Sequence, residues 1–249
     1  MANRFYEPGE RRASRVQDLF ALIAPRYDLI NDLQSFGLHR YWKSRLLHLA
    51  RVRPGDRALD LCCGTGDVAF ALAKRGARVI GLDFSAPMLA VARSRGQSPA
   101  AGRSSAPAPA SPNPQFLRGD ALDIPFPDDR FDVVTIAYGL RNLAGLERGL
   151  REMWRVAKPG GRLLALDFAR PDNALWRRLY FGYLKGCVPL FGRMFCGDAD
   201  AYAYILESLS HYPAPHGVAE KMRELNCCSI RVLTLLGGVM SIHYGEKGT

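Results

Sequence analysis

The chain has 249 residues, a formal net charge of +10 and a hydrophobic fraction of 48%. That length suits one α/β domain with additions, or at most two small domains, and the apolar content excludes wholesale disorder and any need for a disulfide or metal staple. No uninterrupted apolar run is long enough to cross a bilayer, and the charge points either to an anionic partner (nucleic acid, an anionic membrane surface, an acidic small molecule) or to a basic compositional bias alone.

Met1 to Ser14 is polar and basic with no apolar segment, so a flexible terminus and no signal peptide are expected. Residues 15 to 50 read as helical. Val16, Leu19, Phe20 and Ile23 share one helix face, and Pro25 ends that helix. Tyr27 to Trp42 forms a second segment. Trp42, Leu46, Leu47 and Leu49 continue a third pattern up to the turn Arg53-Pro54-Gly55-Asp56. A different texture follows. Arg57 to Leu61 is a short strand, Cys62 to Asp67 a glycine-bearing loop, and Val68 to Lys74 a helix with Gly76 as its cap. Arg78 to Asp83 is a second strand and Ala86 to Arg95 a second helix. This alternation predicts a parallel sheet with right-handed crossovers.

Residues 96 to 114 hold five of the sixteen prolines and read as a disordered insert inside the domain, because the strand–helix rhythm resumes after it. Gln115 to Asp120, Phe131 to Ala137 and Arg162 to Phe168 are the next strands. The helix Leu146 to Val156 precedes the turn Lys158-Pro159-Gly160-Gly161. Residues 174 to 209 read as aromatic-rich helices and His216 to Leu225 as a short one. Ser229 to Leu236 and Val239 to Tyr244 form a closing hairpin turned by Gly237-Gly238. The six cysteines form no C-x-x-C pair, which fits a reducing cytoplasm better than a metal site or a disulfide framework.

The loop Cys62-Cys63-Gly64-Thr65-Gly66-Asp67 carries the strongest local signal. Glycines between a strand and a helix let backbone approach a ligand closely. Gly64, Gly66 and Ala69 satisfy the G-x-G-x-x-A form of the dinucleotide fingerprint, with Asp83 placed for a ribose. NAD and S-adenosylmethionine therefore compete, beside a purely structural turn. Asp60 and Asp67 flank the loop and would repel a pyrophosphate. They would help hold the ammonium and sulfonium of S-adenosylmethionine, while Asp120, with Ala121 beside it, suits the adenine amino group.

Three stretches carry a family resemblance. Tyr27-Asp28-Leu29-Ile30-Asn31 followed by Ser35-Phe36-Gly37-Leu38-His39-Arg40-Tyr41-Trp42, then Tyr138-Gly139-Leu140-Arg141-Asn142, then Arg155-Val156-Ala157-Lys158-Pro159-Gly160-Gly161-Arg162-Leu163, resemble the ubiquinone/menaquinone biosynthesis C-methyltransferases. The resemblance runs from Arg15 onward except for the insert. It implies a Rossmann-like class I methyltransferase: a seven-stranded, mostly parallel sheet, a closing antiparallel hairpin and N-terminal helices, with residues 15 to 249 forming one domain. Departures are mild: Ile30 replaces a methionine, Gln34 stands where an apolar residue is usual, and Ala157 replaces an aliphatic residue. Asp167 and Ala169 replace glutamate and serine, and Ala137 replaces a serine that positions the cofactor in many members.

The resemblance further implies S-adenosylmethionine as co-substrate, no metal, and methyl transfer to a ring carbon of a prenylated demethylquinol, either demethylmenaquinol or the benzoquinol precursor of ubiquinone. A reduced ring is nucleophilic once a phenolic proton leaves, so the protein supplies positioning and a proton acceptor. Arg141 beyond the fourth strand is expected to hold the developing phenolate, the safer role since a guanidinium stays protonated, or to relay its proton through a water, or else only to pair with an acid or a carbonyl. His39 is the candidate base, or a packing histidine beside Trp42. Tyr27 and Asp28 close over the cofactor or cap the N-terminal helices. Trp176 to Phe195 lines a groove for the prenyl tail or packs on the sheet, with Asp200, Tyr202 and Tyr204 toward the quinol head. Partners expected on this reading are the quinol and a transient anionic membrane surface, not nucleic acid, with a homodimer left open. Two rivals stand beside it. A nucleic-acid methyltransferase would explain the charge, but the stretch after strand four lacks an N-P-P-Y-like motif. A cofactor-binding scaffold without turnover is opposed by the intact Gly64-Thr65-Gly66 loop.

Overall fold

The computed structural model describes residues 24–97, 113–196, 208–209, 212–213 and 215–248, with backbone alone for 187–196. The helix expected around Val16 to Ile23, the terminus before it, most of the 96–114 insert, and Asp200, Tyr202 and Tyr204 lie outside those residues. Pro25 falls in a single 3-10 turn, Ala24–Arg26. The next segment is two helices, α1 (Tyr27–Ser35) and α2 (Leu38–Leu49). They are separated at Phe36 and Gly37, both left-handed with φ of 51° and 75°. Gly37 supplies that conformation readily. Phe36 adopts it as an ordinary residue, which no periodicity argument foresees.

Beyond the turn at Pro54 come β1 (Arg57–Leu61), α3 (Asp67–Ala73), β2 (Arg78–Asp83), α4 (Ala86–Gln97), β3 (Gln115–Arg118), β4 (Phe131–Ala137) and α5 (Leu146–Val156). They are followed by β5 (Ala157–Phe168), α6 (Ala174–Cys196), α7 (His216–Glu224), β6 (Cys227–Leu235) and β7 (Met240–Lys247). One seven-stranded sheet results, in the order β3-β2-β1-β4-β5-β7-β6. Strands β1 to β5 run parallel, and β7 runs antiparallel to both β5 and β6. The expected turn at Lys158 to Gly161 is instead an irregular start to β5, where Phe131 pairs with Ala157 but Val133 pairs with Arg162. The left-handed Gly160, φ 72°, marks this irregularity.

Side chains of β1 alternate between the two faces of the sheet. Ala58 packs in a core with Trp42, Leu46, Leu72 and Leu89, whereas Leu59 and Leu61 pack in a second core with Leu150, Met153 and Met222. Burial on both faces is why the parallel strands read as continuous apolar runs. Asp60, inside such a run, is therefore an anomaly. By the same alternation it faces α1, α2 and α3. Strand order reverses between β1 and β4, and open α/β sheets bind ligands in the crevice at the carboxyl ends of the strands at such a point.

Candidate active site

Beyond β1 the chain turns through Cys62, Gly64 and Gly66 with φ of 50°, 53° and 87°. Gly66 is required twice over, since a Cβ there would sit 2.8 Å from Phe116 Cζ. At Gly64 a Cβ would meet nothing within 4 Å. The backbone of Gly64 thus faces open space that a ligand can enter. Asp83 fixes this loop: its Oδ2 accepts the Gly64 N–H at 2.8 Å and its Oδ1 accepts the Ser85 N–H at 2.8 Å. Burial raises the Asp83 pKa, opposed by these backbone donors. Each carboxylate oxygen keeps a lone pair for a further donor such as a ribose hydroxyl.

Two adjoining compartments open on this loop, sharing Tyr27, Cys62, Gly64, Ala137 and Tyr138. One extends to Asp83, Phe84, Met88 and Asn142 and encloses about 410 Å³ with its mouth; the other extends to Lys43, Asp60 and Thr65 and encloses about 320 Å³. The first is flanked by apolar Phe84 and Met88 with Asp83 at its edge, as an adenosine requires.

The second is polar. Asp60 is 1% exposed, and its Oδ1 accepts the Thr135 hydroxyl at 2.7 Å while Oδ2 has no hydrogen-bond partner. Burial pushes its pKa up to about 7, against the Thr135 hydrogen bond and the charge of Lys43. A buried carboxylate oxygen without a donor is costly, and a ligand ammonium would remove that cost. The residues present thus fit S-adenosylmethionine, whose amino-acid end is cationic at its ammonium.

Asp67 does not share that role. Lys43 Nζ lies 2.7 Å from its Oδ2 and Arg95 NH2 lies 2.7 Å from its Oδ1. Burial opposes its ionisation, but these cations prevail and hold its carboxyl at about 2. Of the two acids flanking the loop, Asp60 alone therefore remains to repel a pyrophosphate. Lys43 carries no local sequence signal. It reaches the loop only because α2 lies across it, a contact between residues 24 apart in the chain.

Thr65 turns its hydroxyl to Asp28 Oδ1 at 2.8 Å, and Arg95 NH1 bonds both Asp28 Oδ2 and the Thr65 carbonyl at 3.0 Å. Asp28 thus clasps α1 to the loop, while its neighbour Tyr27 walls both compartments. His39 lines neither compartment. It is buried between α1 and α2, with Nδ1 3.0 Å from Ser35 Oγ and 3.6 Å from Asp32 Oδ1. Burial, then the charge of Lys43, lowers its pKa, so the imidazole is neutral at neutral pH. Asp120 and Ala121 also line neither compartment. Asp120 is exposed and accepts the Leu122 N–H at 2.9 Å; Ala121 is buried in the second core. Asp120 stays near the rim, because the preceding Gly119 N–H bonds the Asp83 carbonyl at 3.1 Å.

Arg141 is buried and paired. Its NH1 lies 2.5 Å from Asp167 Oδ1 and 2.9 Å from the Tyr138 carbonyl. Its own backbone N–H reaches Asp167 Oδ2 at 3.0 Å, and the guanidinium lies over the Phe168 ring at 4.6 Å from the centroid. The hydroxyls of Tyr138, Tyr180 and Tyr212 are buried without hydrogen-bond partners. Burial pushes all three phenols up, and each feels the charges of Arg141 and Asp167. All three are neutral donors within electrostatic reach of one ion pair. Neither Tyr138 nor Tyr212 is singled out by local sequence; only the fold brings them within electrostatic reach of Arg141 and Asp167. On α6, Tyr180 and Leu184 are buried while Leu175 and Leu179 are exposed, so this helix both covers the sheet and presents an outer face.

Comparison with known proteins follows the same lines. The chain is 41% identical over 231 residues to the demethylmenaquinone methyltransferase of Thermus thermophilus, covering 92% of this chain and all of that one. It is 38% identical over 247 residues to the ubiquinone/menaquinone biosynthesis C-methyltransferase UbiE of Ectopseudomonas mendocina, covering 96% of this chain and 91% of that one. Among solved structures, a SAM-dependent methyltransferase from Thermotoga maritima superposes with a TM-score of 0.60 at 19% identity, covering 92% of this chain and 99% of that one. The [4+2]-cyclase SpnF superposes with a TM-score of 0.56 at 18% identity, covering 95% and 97%. The last match shows that this fold alone does not specify an activity. Residues 9–247 match the ubiE/COQ5 methyltransferase family, and on that match and these identities the chain belongs to that family and uses S-adenosylmethionine as its methyl donor.

Proposed function

We propose that this enzyme methylates a ring carbon of a prenylated demethylquinol, with demethylmenaquinol as the substrate and menaquinone biosynthesis as its setting. The supporting observation is a site with two opposite poles. Asp60 offers an acidic pole on the cofactor loop. Arg141, kept in place by Asp167, offers a cationic one: its side chain lines neither compartment, but it sits in the chain between Gly139 and Asn142, which line the first. The Thermus relative, named a demethylmenaquinone methyltransferase and 41% identical, agrees with this reading. The Ectopseudomonas relative's name couples ubiquinone with menaquinone, which keeps the benzoquinol precursor as the second substrate to test.

S-adenosylmethionine supplies a methyl group on a positively charged sulfur. The chain's own residues do the rest. Asp60 Oδ2 takes the ammonium, Asp83 a ribose hydroxyl, and the bare Gly64 backbone permits close approach. Asp120 at the rim is assigned to the adenine amino group, with Ala121 behind it. A phenolic proton lost to solvent water puts electron density on the adjacent ring carbon, and Arg141 stabilises the oxyanion as a fixed cation rather than acting as a base; once the carbon carries the methyl, its own proton leaves to water and the oxyanion is reprotonated, restoring the aromatic quinol. Tyr138, which lines both compartments, provides a neutral donor for a ring oxygen. His39, outside both compartments, positions α1, whose Tyr27 closes the site. A radiolabelled-methyl assay tests the reading. Label should enter reduced demethylnaphthoquinol, not the oxidised quinone and not bulk RNA. Equal rates on both redox states would contradict a nucleophilic ring carbon.

The pH dependence of binding is a second check. Asp60 has its pKa raised to about 7 from 3.8. Without cofactor, the native state retains a proton that the unfolded chain releases, so stability declines as pH rises from ~4 through ~7. Cofactor binding requires the carboxylate. Affinity should therefore weaken as pH falls below about 7, and Asp60→Asn should bind weakly with that dependence removed. An unchanged pH profile in the variant would show that Asp60 does not meet the cofactor.

Among the described residues no helix is long and apolar enough to cross a membrane. We place the enzyme peripherally at the inner face of the cytoplasmic membrane, where a net charge of +10 meets anionic lipid and a prenylated substrate resides.

A further inference from the structure

We propose that the outer face of α6 is the surface that seats this enzyme on an anionic lipid headgroup layer. Positions 175, 178, 179, 182, 185 and 186 follow the i, i+3, i+4, i+7 spacing of one helix face, and all are exposed. Leu175 is 69% exposed and Leu179 57%. Arg178 and Lys185 flank them. The Trp176 indole N–H donates to the Leu236 carbonyl at 3.1 Å, and Leu236, itself 50% exposed, extends the apolar patch onto the β6–β7 turn. Nothing lies within 4 Å of where a Cβ would sit at Gly182 or Gly186, so backbone is bare along the same stripe.

The charge pattern selects the occupant. From Ala174 to Cys196 the sequence contains four basic residues and no acidic one. A second copy seated face to face across a two-fold axis would set Arg178 and Lys185 against their own counterparts, between two chains of net charge +10. An anionic bilayer surface complements the same face: leucines and a tryptophan enter the headgroup boundary while cations meet lipid phosphates. The inner face of this helix holds buried Tyr180, which feels the charges of Arg141 and Asp167. A quinol head would thus leave the lipid by about one helix diameter, ~10–12 Å, with its tail still in the bilayer. That benefit rests on the prenylated-substrate reading above; the existence of the face does not.

Co-sedimentation of the full chain with vesicles free of quinol tests it. Phosphatidylglycerol–phosphatidylcholine vesicles should bind the wild type in a salt-sensitive way, and phosphatidylcholine alone should bind it weakly. Arg178→Gln with Lys185→Gln should lower anionic binding about 30-fold, the attraction of two cations near such a surface. Leu175→Ser with Leu179→Ser should lower it too, while Arg78→Gln, at the amino-terminal edge of β2, should leave it unchanged. Cofactor binding by calorimetry confirms that each variant is folded. Wild-type-like vesicle binding by both face variants would overturn the proposal. So would salt-insensitive binding, or a dimer in solution that Leu175→Ser with Leu179→Ser dissolves. Methylation of a tail-less demethylnaphthoquinol in free solution separates the two readings. If the wild type fails there, the substrate reading falls while the vesicle result stands; if the face variants keep that activity and lose the vesicles, both hold.

Discussion

Asp167→Ala should lower stability by about 3–5 kcal/mol and abolish methyl transfer, because it leaves the Arg141 guanidinium buried without its counter-charge. Both side chains are almost entirely removed from solvent, at 3% and 0% exposure. Asp167 also accepts the Arg141 and Phe168 backbone N–H groups, so one carboxylate organises the whole turn after β4. Stability and catalysis would fail together in that variant, which by itself leaves the role of Arg141 undecided. The double variant Arg141→Met with Asp167→Leu resolves this. Replacing a buried pair with apolar side chains of similar size is often neutral or stabilising, so the denaturant midpoint should recover much of the loss. Methyl transfer should not recover, because no cation remains to meet the phenolate. An active double variant would reduce Arg141 to a structural tie, and a loss below about 1 kcal/mol in Asp167→Ala would mean that water reaches the pair.

Asp83→Ala should weaken S-adenosylmethionine binding at least 100-fold. The alanine removes the ribose acceptor and strips two backbone N–H groups, those of Gly64 and Ser85, of their partner. Hydrogen bonds to a charged group contribute ~1.5–3 kcal/mol each, and a factor of ten needs only 1.4. Asp83→Asn should fall between, since its amide oxygen can satisfy one N–H but its NH2 opposes the other. Calorimetric titration, with circular dichroism confirming the fold, is the measurement. Tight binding by Asp83→Ala would remove this carboxylate from the cofactor site.

The sheet was legible because parallel strands buried on both faces announce themselves as short apolar runs. Arg78–Asp83 and Phe131–Ala137 have the bounds their sequences suggest, and the closing hairpin turns at Gly237 and Gly238 as expected. The cofactor loop was legible because its glycines carry local backbone requirements. What escaped was the identity of each partner over distance. Arg141 and Asp167 are 26 residues apart, Lys43 and Asp67 24, and Thr65 and Asp28 37. An acid read alone looks available for a ligand, and only the fold shows that Asp67 is already neutralised while Asp60 is not. Tyr138, Tyr180 and Tyr212 come from three separate segments, so their shared neighbourhood has no spacing to betray it.

Tyr27 and Asp28 are consecutive residues, one walling both compartments and the other holding Thr65 and Arg95. The door and its latch are thus built into a single turn of helix. Any displacement of α1 that widens the entrance also breaks the clasp on the loop, and any molecule leaving from behind Tyr27 must work against both. Passage into both compartments is thereby mechanically geared to α1, whose Tyr27 precedes the start of β1 at Arg57 by 30 residues.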